Sequence, residues 1–322
     1  MKLITTIYNL LWGDLVTIPL PGGGSLGLSL LVLLLIPAGI FFTARTRFLP
    51  VRLFPEMLKT AVEKRTSSQK NSISGFQTLI IATATRVGMG NLVGVVAAIS
   101  AGGAGAVFWM WIIAILGSAS ALAESTLAQI YKKKGEDGKC YGGPAYYIEA
   151  ALHSRGLAVV FCIAMILTYA FGFNMLASYN LQSTFASQPF YNAEITPWII
   201  GGILSLVMGW CLLGGGNRIV KVTSTLVPFM GIAYILVSLL VVVLNIGQLP
   251  SVMAQIFKEA FDFKAIFAGF AGSAMMQGIR RGLYSNEAGI GSAPNASASA
   301  NVSHPVKQGL VQMLSVFIDT LL

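Results

Sequence analysis

A chain of 322 residues that is 55% hydrophobic and only 10% charged, with a mean hydropathy of +0.74, is too apolar for a soluble globular protein, which carries about 25% charged residues. The formal net charge of +9 falls in short loops between apolar runs, which marks membrane orientation and argues against a nucleic-acid-binding face. Three scattered cysteines (Cys140, Cys162, Cys211) and two histidines (His153, His304) offer no metal spacing and no cluster for an enzyme centre.

In chain order, residues 4–18, with Trp12 and Asp14, read as an interfacial segment. The start carries no cleavage site, so no secretory leader is expected. A first spanning helix is expected over residues 25–43, long enough for a hydrocarbon core of ~30 Å. Residues 45–70 hold Arg45, Arg47, Arg52, Lys59, Lys64, Arg65 and Lys70 against Glu56 and Glu63. That excess places the segment in the cytoplasm and the N-terminus outside. Within it, PEMLKTAVEKR predicts a short amphipathic helix lying on the membrane surface.

The next apolar run contains ATATRVGMGNLVGVVAAISAGG, residues 82–103. Gly88, Gly90 and Gly94 lie near its middle, with Arg86 and Asn91 among them. Each glycine costs a helix roughly 1 kcal/mol relative to alanine. Irregular backbone at membrane depth persists only where it lines a cavity or packs in protein. The stretch Gly88 to Asn91 therefore reads as a break of the kind that builds a substrate and ion site. The spacing of Gly90 and Gly94 is also that of close helix packing. Arg86 needs a partner or water at that depth, and Glu124 and Glu287 are candidates.

A third helix is expected over residues 107–131, with aromatics at its start and Lys132 to Lys134 at its end. Gly142-Gly143-Pro144 is a turn, followed by a short inner helix over residues 145–152. Further spans are expected over residues 157–186, 197–213 and 222–244, the last kinked at Pro228. An external surface helix is expected within residues 251–264. A seventh span enters near Ile266 and is interrupted by AMMQGIRRG, which contains Gln277 and Gly278. Arg280 and Arg281 read as snorkelling residues of its cytoplasmic half. A small, polar loop follows, SNEAGIGSAPNASASANVSHP, and an eighth span opens near Pro305 and contains Asp319. Asp319 reads as an ion ligand or a structural pair. Two interrupted segments, five spans apart and opposite in direction, point to a five-plus-five inverted repeat. On that reading the chain stops inside a helix, short of a full second repeat.

The stretches RVGMGNLVGVVAAISAGGAGAVFWMW, GGPAYYIEAAL and RRGLYSNEAGIGSAPNASASANVSHPVKQGLVQMLSVFIDT resemble the sodium–alanine/glycine symporters of bacteria and archaea. The resemblance implies an all-α integral membrane protein of leucine-transporter-like fold. It implies one extra N-terminal helix and about eight of roughly eleven expected transmembrane helices. The organisation expected is an N-terminal helix and basic segment in residues 1–72, a first repeat in residues 73–245 and the start of a second in residues 246–322. The implied function is sodium-coupled symport of alanine, glycine or a similarly small amino acid across the cell membrane, with no enzymatic step. The partners expected are that amino acid and the lipid bilayer, with no nucleic acid, and the chain is expected to be a monomer. A non-transporting fragment of such a carrier is the alternative.

Within that frame the candidate substrate residues are Thr85, Gly88, Met89, Gly90, Asn91, Gln277 and Gly278. A half-helix N-terminus at Met89 to Asn91 offers free N–H groups to a carboxylate. Glycine there lets the ligand touch backbone. The family fold implies an aromatic over the substrate, for which Phe171 and Phe173 stand. The sodium ion would take backbone carbonyls at Ala84 and Val87, since oxygen suits a hard cation. Thr83 is a further side-chain oxygen. Other hydroxyl ligands in the wider fold come from later helices.

Overall fold

The computed structural model describes residues 2–19, 25–63, 75–86, 89–136, 140–262 and 274–321. The chain opens with helix α1 (Lys2–Leu11) and an antiparallel hairpin, β1 (Val16–Pro19) on β2 (Ser25–Leu28). The first long apolar helix, α2 (Leu30–Arg45), therefore begins five residues later than its hydropathy implies. Ser29 decides the boundary: its Oγ accepts from the Val32 amide at 3.4 Å and satisfies one of the free N–H groups of the first turn.

Two short helices follow, α3 (Leu49–Arg52) and α4 (Phe54–Ala61). The second apolar run comprises α5 (Gly75–Arg86) and α6 (Met89–Gly102), with residues 87 and 88 between them outside the described ones. Next come α7 (Gly105–Ile130), a two-residue ribbon β3–β4 (Lys133–Lys134, Cys140–Tyr141) and α8 (Pro144–Leu152). The fourth apolar run comprises α9 (Arg155–Ile166), a π-helical stretch (Leu167–Phe173) and α10 (Asn174–Ser183). Helices α11 (Thr196–Leu213) and α12 (Gly215–Leu244) complete the apolar set, and α13 (Leu249–Ala260) is amphipathic. The last three described helices are α14 (Ala274–Ser285), α15 (Ser292–Ser299) and α16 (Pro305–Leu321).

Among the described residues, four helices are long and apolar enough to cross a bilayer: Gly105–Ile130, Arg155–Ser183, Thr196–Leu213 and Arg218–Leu244. The chain is thus an all-α, multi-pass membrane protein in its described residues. The last two of these bury nothing, and Leu206, Leu213 and Phe229 point outward along them. Such faces suit hydrocarbon and would be untenable in water.

Helix α7 is the hub. It packs against α16, α14, α2 and α15, and small residues from Gly117 to Ala121 let these neighbours approach. Its start is held by α13, where the Glu259 carboxylate accepts from the free Gly105 amide at 3.3 Å and Trp109 Nε1 donates to the Ala260 carbonyl at 3.0 Å. Helix α4 is not a bare surface helix. Its Met57 and Ala61 enter a core with Leu310, Val311, Leu314 and Phe317 of α16.

The stretch AMMQGIRRG is helical throughout and opens α14; its junction with the run that enters near Ile266 falls on residues 263–273, outside the described ones. Its glycines serve packing. A Cβ on Gly278 would stand 2.6 Å from Trp109 Cβ, and one on Gly282 would stand 2.8 Å from Ile113 Cβ. The small, polar loop after it also contains structure, since α15 occupies its middle.

Candidate functional site

The site grows from the division between α5 and α6. Arg86 is the last described residue of α5, and its carbonyl is taken by a side chain: Asn91 Nδ2 donates to it at 2.6 Å. The same nitrogen donates to Asp319 Oδ1 at 2.5 Å. Asp319 Oδ2 in turn accepts from Ser285 Oγ at 2.5 Å, at the end of α14. One carboxylate thus joins the broken helix, α14 and α16.

Arg86 is almost fully buried. Its Nη1 donates to the carbonyl oxygen and to Oε1 of Gln312, at 3.4 and 3.3 Å. One turn before it, the hydroxyls of Thr83 and Ser315 lie 3.5 Å apart. Polar groups on α5 therefore meet polar groups on α16 over about one turn. Interhelical bonds of this kind hold helices where the hydrophobic effect cannot.

Beyond Ser285 the chain makes a tight loop. Glu287, Gly289 and Gly291 all have positive φ, at 51°, 84° and 100°. Asn286 anchors it by donating to the Ile113 carbonyl at 3.1 Å. Gly117 makes that possible, because a Cβ there would stand 2.5 Å from Asn286 Cγ. The loop presents Gly289 N–H to Glu124 Oε1 at 2.8 Å, and Glu287 Oε2 accepts from Ser292 Oγ at 2.5 Å. Three carboxylates, Glu287, Asp319 and Glu124, lie within electrostatic reach of the one Arg86 guanidinium. One buried guanidinium faces three carboxyl groups, and a low-dielectric interior keeps such a set near neutral through protons or a further cation.

The candidate residues divide by position. Thr85 and Ala84 belong to the last turn of α5, and Met89 and Gly90 open α6, while Val87 and Gly88 lie outside the described residues. The freed carbonyl that the structure presents is that of Arg86, between the two expected at Ala84 and Val87. Asn91 stands at the centre of the arrangement. Phe173 is half-buried and stacks with Tyr169 and Tyr284, centroids 5.1 and 6.3 Å away, one residue from Ser285. Phe171 is 58% exposed and faces away.

Gln277 and Gly278 are not brought to the break. Gln277 packs beside Gly102, at the opposite end of α6 from Asn91, and Gly278 is pressed on α7. The arginines that follow, read as snorkelling, stand against protein groups. Arg281 lies against Gly94 in mid-α6, and Arg280 pairs with Asp14 of the N-terminal segment at 3.3 Å. Ser285, Gln312 and Ser315 were not legible as site residues. For Gln312 and Ser315 the one sequence signal is their place near Asp319, an ionisable residue inside an apolar run, and Ser285 carries none.

A family model described as the sodium:alanine symporter family matches residues 23–322. The chain belongs to that family. Among its relatives, the probable sodium/glutamine symporter GlnT of Bacillus subtilis is 49% identical over 294 residues, covering 91% of this chain and 60% of GlnT. The putative sodium/proton-dependent alanine carrier protein YrbD of the same organism is 47% identical, covering 90% of this chain and 58% of its own length. The sodium/alanine symporter AgcS of Methanococcus maripaludis is 36% identical over 326 residues, covering 100% of this chain and 68% of AgcS. The chain thus spans about 60% of the length of the first two relatives. As a member of the sodium:alanine symporter family it is grouped with transporters, and its buried polar centre lies on helices within the matched region.

Proposed function

We propose that this chain carries the substrate and sodium site of a symporter for a small neutral amino acid, alanine or glycine, moved into the cell across the plasma membrane. The carrying observation is the Asn91 side chain, which bridges the loose Arg86 carbonyl and Asp319 at the point where α5 gives way to α6. Family membership supplies the reaction class, and the names of GlnT, YrbD and AgcS supply sodium and the neutral amino acid.

On this reading sodium takes the Arg86 carbonyl, Asn91 Oδ1 and the Asp319 carboxylate. All are oxygens, as a hard cation requires, and the ion offsets the excess of buried carboxylate. The amino acid's carboxylate meets the N–H groups at the start of α6, and Phe173 covers its apolar side. The fold assigned is leucine-transporter-like, with residues 1–72 preceding a first repeat in 73–245 and a second beginning at 246. The N-terminus is placed outside, and the protein acts as a monomer.

Equilibrium binding of labelled alanine to the purified chain, with and without sodium, tests the reading. Sodium should raise the affinity at least tenfold, and potassium should not. Binding that ignores sodium would remove the coupling from this site. Displacement by glutamine more readily than by glycine would reassign the substrate.

A further inference from the structure

The turn that follows α2 is built unusually. Arg47 and Phe48 both have φ of 55°, the left-handed region that side-chain-bearing residues seldom occupy, and they do so in succession. The turn bends the chain from α2 into α3 and α4 and leaves Phe48 60% exposed. Phe48 opens a stripe of outward apolar side chains, Val51, Leu58 and Val62, at 59%, 48% and 72% exposure. In α4 the adjoining face, Met57 and Ala61, is buried against α16. This segment is therefore held by protein on one side and bare and apolar on the other.

Charge surrounds the bare side. Arg45, Arg47 and Arg52 are exposed, and none has an acidic partner among the described residues. The nearby acids are engaged elsewhere: Glu56 with Lys59 at 3.6 Å and Glu63 with Lys307 at 2.5 Å. Arg52 folds back so that its Nη1 donates to the Arg47 carbonyl at 3.3 Å, bringing its guanidinium to the strained turn. Two guanidinium groups without an acidic partner among the described residues thus flank an exposed phenylalanine at the end of the apolar helix α2. Apolar surface facing lipid, rimmed by unpaired cations, matches an anionic phospholipid at the bilayer surface.

We propose that the α2–α3 turn is an anionic-phospholipid site. Arg47 and Arg52 hold the headgroup phosphate, and the acyl chain lies along Phe48 and Val51. The guanidinium fork suits phosphate oxygens better than a lysine point charge would. Because α4 packs on α16, which carries Asp319, a bound lipid also steadies a helix of the polar centre. The proposal does not depend on what the protein transports.

The test uses the whole chain purified in neutral detergent. Its thermal midpoint is followed while phosphatidylglycerol, phosphatidylcholine of the same acyl chains, or inorganic phosphate is added. Phosphatidylglycerol should raise the midpoint by about 5 °C, the order expected for a ligand well above its dissociation constant, and the other two should leave it within about 1 °C. The variant R47Q/R52Q should lose most of that rise, and Lys59→Gln should keep it. An equal rise with phosphatidylcholine or with phosphate overturns the proposal, as does a full rise in R47Q/R52Q. Should that variant not fold, native mass spectrometry of the parent decides alone, by whether phosphatidylglycerol is retained in preference to phosphatidylcholine.

Discussion

The bridge at Asn91 can be tested by a double-mutant cycle with Asp319. One amide nitrogen serves two acceptors, at 2.6 Å to Arg86 O and 2.5 Å to Asp319 Oδ1. Hydrogen bonds to a charged group are worth about 1.5–3 kcal/mol net. Those between membrane helices average less, about 0.6 kcal/mol with a ceiling near 1.7. A coupling of about 1.5 kcal/mol is therefore expected between Asn91→Ala and Asp319→Ala, roughly a tenfold change in an equilibrium constant. Unfolding midpoints in detergent would measure it for both single variants and the double. Sodium titrations of alanine binding would measure the same coupling in function, with Asn91→Ala raising the sodium half-saturation about tenfold. Effects that add to within about 0.5 kcal/mol would refute the bridge, since independent sites behave that way. A measured coupling with unchanged sodium affinity would leave Asn91 as a clasp and remove it from the ion site.

Two further outcomes follow from packing. Gly278→Leu should sharply reduce folded yield on size-exclusion chromatography, because even a Cβ would stand 2.6 Å from Trp109 Cβ, and overpacking of this kind costs about 1–3 kcal/mol or more. Gly209→Leu, with no atom within 4 Å of its Cβ position, should be near neutral, and equal losses would contradict the close contact of α14 with α7. Phe173→Ala should weaken alanine binding at least fivefold, while Phe171→Ala, whose ring is 58% exposed, should leave it within twofold. The reverse order would put the wrong face of the π-helical stretch at the site.

Hydropathy made the long helices legible because each is a continuous apolar run. The span expected over residues 107–131 is Gly105–Ile130, and that expected over residues 197–213 is Thr196–Leu213. Boundaries set by one hydrogen bond were not legible in the same way. Ser29 ends a strand and caps a helix inside a run that hydropathy reads as uniform. The unusual character of the second run was legible because glycines, an arginine and an asparagine together have no place in an ordinary span; residues 87 and 88 within it lie outside the described ones. Its partners were not. Ser285, Gln312 and Ser315 are small or neutral polar residues of a kind scattered through many membrane helices, and only their approach to Asp319, Arg86 and Thr83 gives them meaning.

Glycine was the ambiguous signal, and the structure resolves it by what a missing Cβ makes room for. At Gly278 and Gly282 it makes room for α7, so that α14 lies close to its neighbour and runs on without interruption. At Gly117 it makes room for Asn286, which fixes the loop that presents Gly289 to Glu124 and leaves Glu287 close to Arg86. The same residue type therefore does two jobs, one in packing and one in shaping the polar centre, and its spacing along the chain does not separate them. What separates them is the neighbour. A glycine facing another helix's backbone sets a distance between helices, while one facing a polar side chain sets where a charge or donor stands. Between α5 and α6 the described contact is a polar one, since Asn91 ends on a carboxylate that also accepts from Ser285 of α14.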